Sequence, residues 1–531
     1  MTNQKPKLPE IPEAELTPLV QQLLGIILRQ QEQIEKLQEE IKRLKGHKGK
    51  PPIKPSRMDK EAQEGGEEEE GKERKRGPKR AKTAQLQTVD EVIAPEGLPT
   101  DAREQGWRFK GYADYVVQEL VIAARNVRYR LEEWQGPDGQ WLRGKLPASV
   151  NGHYGPELVS YVLHQYHHQL VTQPLLLEQL HEFGIEISAG QLSHLLTQEQ
   201  ELFHQEKAQV LEVGLQVSNH LQTDDTGARH DGKNGYCTSI GNEFFAWFES
   251  TESKSRVNFL GLLRAGHKDV VLNAGALAYM AEHKLPQVKL NLLEEGRSFE
   301  DKEAWEGYLE GVGICGPRHR LITTEGALVG SLLARGFPVA MGIVSDDAGQ
   351  FNVFRHALCW IHAERNINKL VPLNDTHAKQ IAWVRCQIWD LYADLKAYKT
   401  DPRLQNPTFQ NEIRQRFKEL CRTRTTYQTL NGHLKRLLGS QEELLRVLED
   451  PHLPLHNNLS ESDIREYVKR RKISGSTRSD EGRRCRDTFT SLKKTCRKLG
   501  ISFWQYLRDR VSRTNGIAPW GEAVRATAAG T

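Results

Sequence analysis

The stretch from Gly342 to Lys369 constrains the fold of this chain more than any other. It begins with a β-branched apolar run that leads directly into a pair of carboxylates, Asp346 and Asp347. This pattern predicts a buried strand that delivers Asp346 to its C-terminal end. Carboxylate oxygens are hard ligands of the kind that magnesium and manganese prefer. The rest of the chain would then have to supply further ligands.

A second carboxylate comes from the segment HLQTDDTGARHDGKNGYCTSIGNEFFAWFEST, which contains Asp224 and Asp225. It predicts a strand ending at these aspartates, a turn rich in glycine and asparagine, and two further strands. A helix is expected to begin near Ser255. Three antiparallel strands followed by a helix open a ribonuclease-H-like fold, in which the first strand carries an aspartate.

Glu461 is the third candidate. Asn457 and Asn458 are good N-cap residues for a helix that has Glu461 in its first turn, where the helix dipole favours a carboxylate. Taken singly, each acidic residue also fits an ordinary surface position. If they converge on one point, the three carboxylates of Asp224, Asp346 and Glu461 would repel one another unless cations neutralised them. We therefore expect two Mg²⁺ (or Mn²⁺) ions and phosphoryl transfer on DNA.

The segment from Thr172 to Gln198 has the spacing of a helix-turn-helix. One helix is expected to end at Gly184, and a second to begin after the N-cap Ser188. On the second helix, the side chains available for DNA are those of Gln191, Ser193 and His194. The alternative is an ordinary helical hairpin.

Two basic zones, residues 72–82 and 465–513, stand out in a chain whose formal net charge is only +4. They suit a polyanion partner, and the alternative is a solvated surface. The residues expected to hold DNA phosphates near Glu461 are Lys469, Arg470, Arg471, Lys472 and Arg478.

Residues 16–44 carry apolar side chains at heptad spacing, which predicts a parallel two-stranded coiled coil and hence a homodimer or higher oligomer. The alternative is a helix that packs on its own protein. No run approaches a membrane span, no secretory signal is visible, and the seven cysteines are scattered. We therefore expect a cytoplasmic, nucleoid-associated protein with reduced thiols and no membrane partner.

Several fragments resemble the insertion-sequence 66 family of bacterial DDE transposases. They are TDDTG at 223–227, VSDDAGQF and HALCWIHAERN within 344–366, and NNLSE with RKISGSTRS within 457–479. The N-terminal helix, KGHKGKPPIKPS and the helix-turn-helix also resemble this family. The resemblance implies a catalytic triad at Asp224, Asp346 and Glu461, with Asp225 and Asp347 unassigned. It also implies companion transposition proteins.

The family resemblance further implies a zinc-finger-like segment with paired cysteines after the coil. The first cysteine of this chain is Cys237, so we predict no structural zinc. Cys359 and His362 make half a zinc site at best. We expect them to be structural support near the carboxylates, with His362 hydrogen-bonding close to them or to the DNA.

At 531 residues the chain is too long for one ordinary domain. The predicted segments are a coiled-coil dimerisation helix (1–45), a flexible basic and acidic linker (46–90), a small mixed β region (91–150), a helical helix-turn-helix region (151–212), the first part of an α/β ribonuclease-H-like core (213–365) with an insertion near 265–335, a helical insertion (366–450), and a core helix with a basic C-terminal region (451–531).

These features predict a transposase that cleaves DNA at transposon ends and transfers the strands into target DNA. In the expected mechanism, a metal-activated water attacks the phosphodiester, and the released 3′ hydroxyl then attacks the target. One alternative is a non-catalytic DNA-binding protein derived from a transposase. Another is a stand-alone ribonuclease-H-like nuclease, which would need neither the coil nor end recognition.

Overall fold

The computed structural model describes residues 17, 20, 22, 25–30, 32–34, 36–37, 89–113, 117, 120–150 and 152–530. The chain divides into two compact units. The larger comprises residues 1–51, 129–181 and 186–531, and the smaller comprises 52–128 and 182–185. All three candidate catalytic carboxylates belong to the larger unit.

The β-strands range from two to eight residues in length. They are β1 (Glu133–Gln135), β2 (Trp141–Arg143), β3 (His220–Gly227), β4 (Tyr236–Gly241), β5 (Ala246–Thr251), β6 (Val270–Val271), β7 (Ser298–Phe299), β8 (Gly342–Ser345) and β9 (Arg355–Leu358).

Among the described residues from 89 onward, the helices outnumber the strands. They are α1 (Pro156–His167), α2 (Gln173–Glu182), α3 (Ala189–Thr197), α4 (Glu201–Val217), α5 (Arg256–Leu263), α6 (Ala274–Glu282), α7 (Gln287–Leu290), α8 (Lys302–Gly311), α9 (Pro317–Ala334), α10 (Trp360–Asn368), α11 (Asp375–Thr400), α12 (Pro407–Arg422), α13 (Gln428–Gly439), α14 (Gln441–Leu444), α15 (Asn458–Ser474), α16 (Asp480–Lys498), α17 (Phe503–Ser512) and α18 (Trp520–Ala529).

A five-stranded mixed sheet lies at the centre of the larger unit, in the order β5-β4-β3-β8-β9. Strands β3, β4 and β5 form an antiparallel meander, whereas β8 is parallel to β3 and β9 is parallel to β8. Helix α5 follows the meander, and the Ser255 side chain caps it by accepting a hydrogen bond from the Asn258 backbone N–H at 3.1 Å. The predicted α/β class, the three antiparallel strands and the helix start at Ser255 are confirmed.

The outer edge of the sheet, strand β5, is closed by side chains of helix α16. Three side chains spaced four residues apart on the helix accept hydrogen bonds from the outward backbone N–H groups of alternate strand residues. Thr495 accepts from Ala246 at 3.2 Å, Ser491 from Phe248 at 2.9 Å, and Asp487 from Ser250 at 2.8 Å. Four helical residues rise about 6 Å and two strand residues about 6.7 Å, so the two ladders match. The arrangement removes the unpaired edge that would otherwise invite another strand.

Two other parts of the larger unit have apolar cores of their own. Residues 265–335 form β6, β7 and helices α6 to α9 around buried Leu272 and Trp305. In residues 366–450 the long helices α11, α12 and α13 pack through Val384, Phe417 and Leu430. Both segments interrupt the sequence that forms the sheet and the helix carrying Glu461.

Residues 91–150 contain less regular structure than a β region would have. Among the described residues of this range, the only strands are β1 and β2, which pair antiparallel across a turn with Gly139 at φ 77°. The turn has the sequence Pro-Asp-Gly, whose glycine adopts the left-handed conformation. Residues 46–88 of the linker predicted at 46–90 lie outside the described residues.

The N-terminal heptad is described only in part. Its described residues from Val20 to Leu37 are helical, and Ile27, Ile34 and Leu37 are exposed. The heptad positions Leu16, Leu23, Ile41 and Leu44 lie outside the described residues, so the coiled coil stays a prediction. Among the described helices, none is long and apolar enough to cross a membrane.

Candidate carboxylate site

The central strands bring Asp224 and Asp346 to the same end of two adjacent strands, which we call the carboxylate edge. Strands β3 and β8 are parallel, with Leu221 opposite Ile343 and Gln222 opposite Val344. Continuing this register by two residues sets Asp224 opposite Asp346. Neighbouring strands are about 4.8 Å apart. The two aspartates that the sequence predicts are therefore neighbours.

Asp224 is a partly buried carboxylate with three other acidic residues near it. Burial raises its pKa to about 7; the hydrogen bond from the Asp225 backbone N–H opposes this change, and the negative charges of Asp346, Asp225 and Glu461 add to it. That hydrogen bond measures 2.8 Å to Oδ1. Among the described residues, neither Asp224 nor Asp346 forms an ion pair. When ionised, these two aspartates therefore have no ion-pair partner among the described residues.

Asp346 lies at the start of a short loop that follows β8. The Ala348 backbone N–H donates to its Oδ1 at 3.2 Å. Behind it, Ser345 is fully buried and its hydroxyl contacts Nε2 of buried His356 at 2.8 Å. The neighbouring Asp347 has a raised pKa, chiefly because of burial and secondly because of the Asp346 charge.

Helix α15 begins directly against β3, which brings Glu461 to the same region. The Asn457 side chain donates to the Thr223 carbonyl at 2.8 Å, and the Leu459 N–H donates to the Gln222 side chain at 3.2 Å. Asn457 is completely buried. These bonds fix the first turn of the helix, which contains Glu461 as predicted. All three predicted carboxylates therefore lie around one end of β3.

Glu461 differs from the aspartates because cations surround it. Arg365 Nη1 lies 3.3 Å from its Oε1, and Arg465 Nη2 lies 3.4 Å from its Oε2. His362 Nε2 is 3.6 Å from Oε1. Among the described residues, no group of three or more His, Cys, Asp or Glu side chains is close enough together to hold a metal ion.

Cys359 and His362 lie beside the start of α15. Cys359 is buried at the N-terminus of α10, and its Sγ accepts the Asn457 backbone N–H at 3.3 Å. Burial lowers the pKa of His362 and outweighs the opposing effect of the Glu461 charge. Their predicted supporting role is compatible with these positions and stays a prediction.

The predicted phosphate-binding residues on and after α15 do not share one environment. Lys469, Lys472 and Arg478 are exposed. Arg471 is half-buried and donates to the Thr226 hydroxyl at 3.1 Å and to the Gly227 carbonyl.

Arg470 requires a correction. It is only 5% exposed, its guanidinium lies 4.0 Å from the centroid of the Tyr166 ring, and its Nη1 donates to the Tyr166 carbonyl at 2.5 Å. The side chain stabilises packing between α15 and α1 and is not available to DNA. Helical spacing carries the missed signal, because Ile464, Tyr467 and Arg470 lie on the buried face.

The predicted helix-turn-helix residues lie on α3, which follows α2 after a turn at Gly184 (φ 77°). Ser188 is the N-cap, as predicted, in a capping box with Gln191. The Gln191 side chain also accepts the Tyr154 hydroxyl at 3.0 Å, so its amide oxygen is already used. His194 is exposed and Ser193 is half-buried.

Sequence reasoning missed two interactions that fix the Asp346 loop. Gln350 Nε2 donates to Asp225 Oδ2 at 2.6 Å. Arg256 Nη2 donates to the Gly349 carbonyl at 2.8 Å, and its Nη1 lies 3.4 Å from buried Glu325 of α9. The segment 265–335 is thus connected to the carboxylate site through Glu325. No motif signals these contacts, because their partners lie 69 to 125 residues apart.

The fold and site define an α/β protein with one aspartate within β3, a second directly after the parallel strand β8, and a glutamate on a helix docked beside them. A family model described as "Transposase IS66 family" matches residues 337–484, which include Asp346 and Glu461. An uncharacterized protein, y4jO of Sinorhizobium fredii (strain NBRC 101917 / NGR234), is 42% identical over 324 residues, covering 60% of this chain and 100% of the relative. The chain belongs to the IS66 transposase family.

Proposed function

We propose that this protein is a DDE transposase that cleaves DNA strands at transposon ends and joins them to target DNA. The observation that supports this most is the shared level of Asp224 and Asp346 on adjacent parallel strands, with the Glu461 helix docked against the same strand. In the sheet, two parallel strands, β8 and β9, extend the three-stranded meander on the β3 side. This order fits the ribonuclease-H-like core of the proposal.

The donor set suits hard divalent cations, magnesium or manganese. Asp224 and Asp346 would hold them, because both are carboxylates without ion pairs among the described residues and a cation would relieve the repulsion of Asp224 by Asp346, Asp225 and Glu461. Glu461 would complete the set on release from Arg365 and Arg465. When bound, two such ions supply the charge that activates a nucleophilic oxygen and stabilises the leaving oxygen in phosphodiester chemistry.

In this proposal, the protein's own side chains orient the carboxylates and bind the DNA phosphates. Asn457 and the Ala348 N–H hold Glu461 and Asp346 in place. Arg365 and Arg465 would pair with DNA phosphates once Glu461 turns to the cations. Arg–phosphate pairs of this kind are charge-assisted and strong.

DNA would also be bound outside the carboxylate site. The exposed cations near α15 are Lys469, Lys472 and Arg478, and Ser193 and His194 are the side chains that α3 offers. Their partners in the proposal are transposon-end and target DNA. The N-terminal helix would join two copies of the chain.

Cleavage of DNA that carries the end of the mobile element, with magnesium present, tests the proposal. We expect the wild type to nick this DNA and Asp346→Asn and Glu461→Gln to lose nicking. Glu442→Gln is the matched control, because Glu442 is an exposed carboxylate whose ion pair is with Arg414 and not with a residue of the site. Full activity of both site variants would overturn the assignment.

A second candidate is a non-catalytic DNA-binding protein derived from a transposase. The ion pairs that occupy Glu461, and the lack of a three-ligand cluster among the described residues, favour it. End binding by the wild type without any magnesium-dependent nick would establish this candidate and reject the first.

A further inference from the structure

Asp225 directly follows Asp224 on β3, yet its side chain has a different environment. It is only 6% exposed, and both carboxylate oxygens are used. Oδ1 pairs with the Lys254 ammonium, and Oδ2 accepts from Gln350 Nε2 at 2.6 Å. Because both oxygens already have partners, the Asp225 carboxylate holds Lys254 and Gln350 in place.

Lys254 is the cation that Asp225 supports. It lies in the turn between β5 and α5, and its side chain is 43% exposed although that of Asp225 is nearly buried. Its Nζ also lies 5.2 Å from the centroid of the Tyr236 ring. An ammonium has three N–H donors. With one directed to Asp225, the others remain for a ligand from solvent.

The charge of Lys254 is secure at neutral pH. Burial alone would lower its pKa, but the hydrogen bond to Asp225 and the charges of Asp225 and Asp346 outweigh burial and raise it. Asp346 thus lies within the electrostatic reach of Lys254. The ammonium is a fixed positive charge beside the carboxylate edge.

The distribution of cations around the carboxylates suggests what Lys254 binds. Arg365 and Arg465 flank Glu461 from α10 and α15, whereas Lys254 follows β5 and pairs with Asp225 at the end of the meander that also carries Asp224. A DNA strand that enters a cluster of carboxylates needs positive charge beside each of them, because its phosphates are otherwise repelled. A lysine ammonium binds phosphate as a point charge.

We propose that Lys254 binds a phosphate of the DNA strand at the carboxylate site and that Asp225, Gln350 and Tyr236 position its ammonium. The proposal rests on the proposed DNA-processing function and assigns Asp225 as a positioning residue that holds no metal. Gln350 belongs to the loop that begins with Asp346, and Arg256 holds the same loop through Gly349. The position of Lys254 is therefore linked to that of Asp346.

The salt dependence of DNA binding in EDTA tests the role of Lys254 without any cleavage. The full-length chain is titrated onto an end-containing duplex at several salt concentrations. Each phosphate contact contributes about one to the slope of log K against log salt. We expect Lys254→Met to lower the slope by about one and Lys254→Arg to restore it. Lys302→Met is the matched control, because Lys302 is a surface lysine paired with Glu306.

An unchanged slope in a folded Lys254→Met protein would overturn the proposal. Asp225→Asn tests positioning: we expect it to weaken DNA binding and slow magnesium-dependent nicking without abolishing it. Loss of nicking as complete as in Asp224→Asn, with an unchanged slope, would make Asp225 a metal ligand and would also overturn the proposal. The slope in EDTA does not depend on catalysis, so a wild type that binds DNA without nicking it rejects the transposase activity alone.

Discussion

The two sides of the carboxylate site are built differently. On the strand side, the backbone register of β3 and β8 fixes Asp224 and Asp346, and no described side chain forms an ion pair with either. On the helix side, Glu461 is anchored through Asn457 and surrounded by Arg365 and Arg465. The strand side is thus preformed, and its aspartates have no ion-pair partner among the described residues. On the helix side, Glu461 must leave Arg365 and Arg465 before it can bind a cation together with the aspartates.

The largest expected effect is loss of strand cleavage when the strand side is changed. Asp224→Asn removes one hard ligand and keeps the size of the side chain. Lost stabilisation of several kcal/mol corresponds to a decrease of at least about 100-fold in the single-turnover nicking rate. The measurement is nicking of end DNA with magnesium. A rate within about threefold of the wild type would contradict the role of Asp224.

Detaching the helix side should cost stability as well as activity. Asn457→Ala removes a buried side chain that bonds the Thr223 carbonyl and accepts the Ser460 hydroxyl at 2.6 Å. Buried groups left without partners cost about 1–3 kcal/mol of unfolding free energy, measurable by urea titration. Asn406→Ala is the control, because Asn406 caps α12, makes no hydrogen bond to β3 or α15, and its loss costs about 1 kcal/mol. Only Asn457→Ala should slow nicking at temperatures where both variants are folded.

Acid should weaken the strand side through buried His356. Its pKa is lowered to about 4, chiefly by burial and also by the charges of Arg446 and Arg256. Because the unfolded histidine titrates near 6.5, its contribution to stability is complete above that pH and is lost as the pH falls toward 4. The slope is at most about 1.4 kcal/mol per pH unit. We expect His356→Gln to reduce the pH dependence of unfolding by about one proton; an unchanged slope would reject this origin.

The smallest expected effect on stability is at Arg465. Its side chain is largely exposed, so Arg465→Met should change the unfolding free energy by no more than about 0.5 kcal/mol. DNA binding should respond more, with the salt slope lowered by about one. The reverse pattern, a clear loss of stability with unchanged binding, would mean that Arg465 serves only to hold Glu461.

The parts predicted from the sequence are those that depend on neighbouring residues. The helix start at Ser255 and the N-cap Ser188 follow from local capping. The first-turn position of Glu461 was predicted correctly, but Asn457 makes no side-chain capping hydrogen bond and binds the Thr223 carbonyl instead. Asp346 follows from the end of β8, which apolar patterning marks. The strand end predicted at Asp224 and Asp225 was wrong, because β3 continues to Gly227 through its pairing with β4.

The parts that were not predicted depend on contacts distant in the chain. Lys254 meets Asp225 across the meander, and Gln350 reaches Asp225 across 125 residues. The closure of β5 by Asp487, Ser491 and Thr495 is equally non-local. Arg470 was misjudged for another reason: a run of basic residues indicates a charged surface, but helical geometry turns one residue in three or four toward the interior.

A double-mutant cycle on single-turnover nicking of end DNA most directly tests whether the two sides form one site. The variants are Asp224→Asn, Glu461→Gln and their combination, each with magnesium and with EDTA. Residues that act as a unit are strongly non-additive. We therefore expect each single change to lower the rate at least about 100-fold and the double change to lower it little further. A double variant whose fold decrease in rate equals the product of the two single decreases would contradict a single site. So would a Glu461→Gln protein that nicks as fast as the wild type.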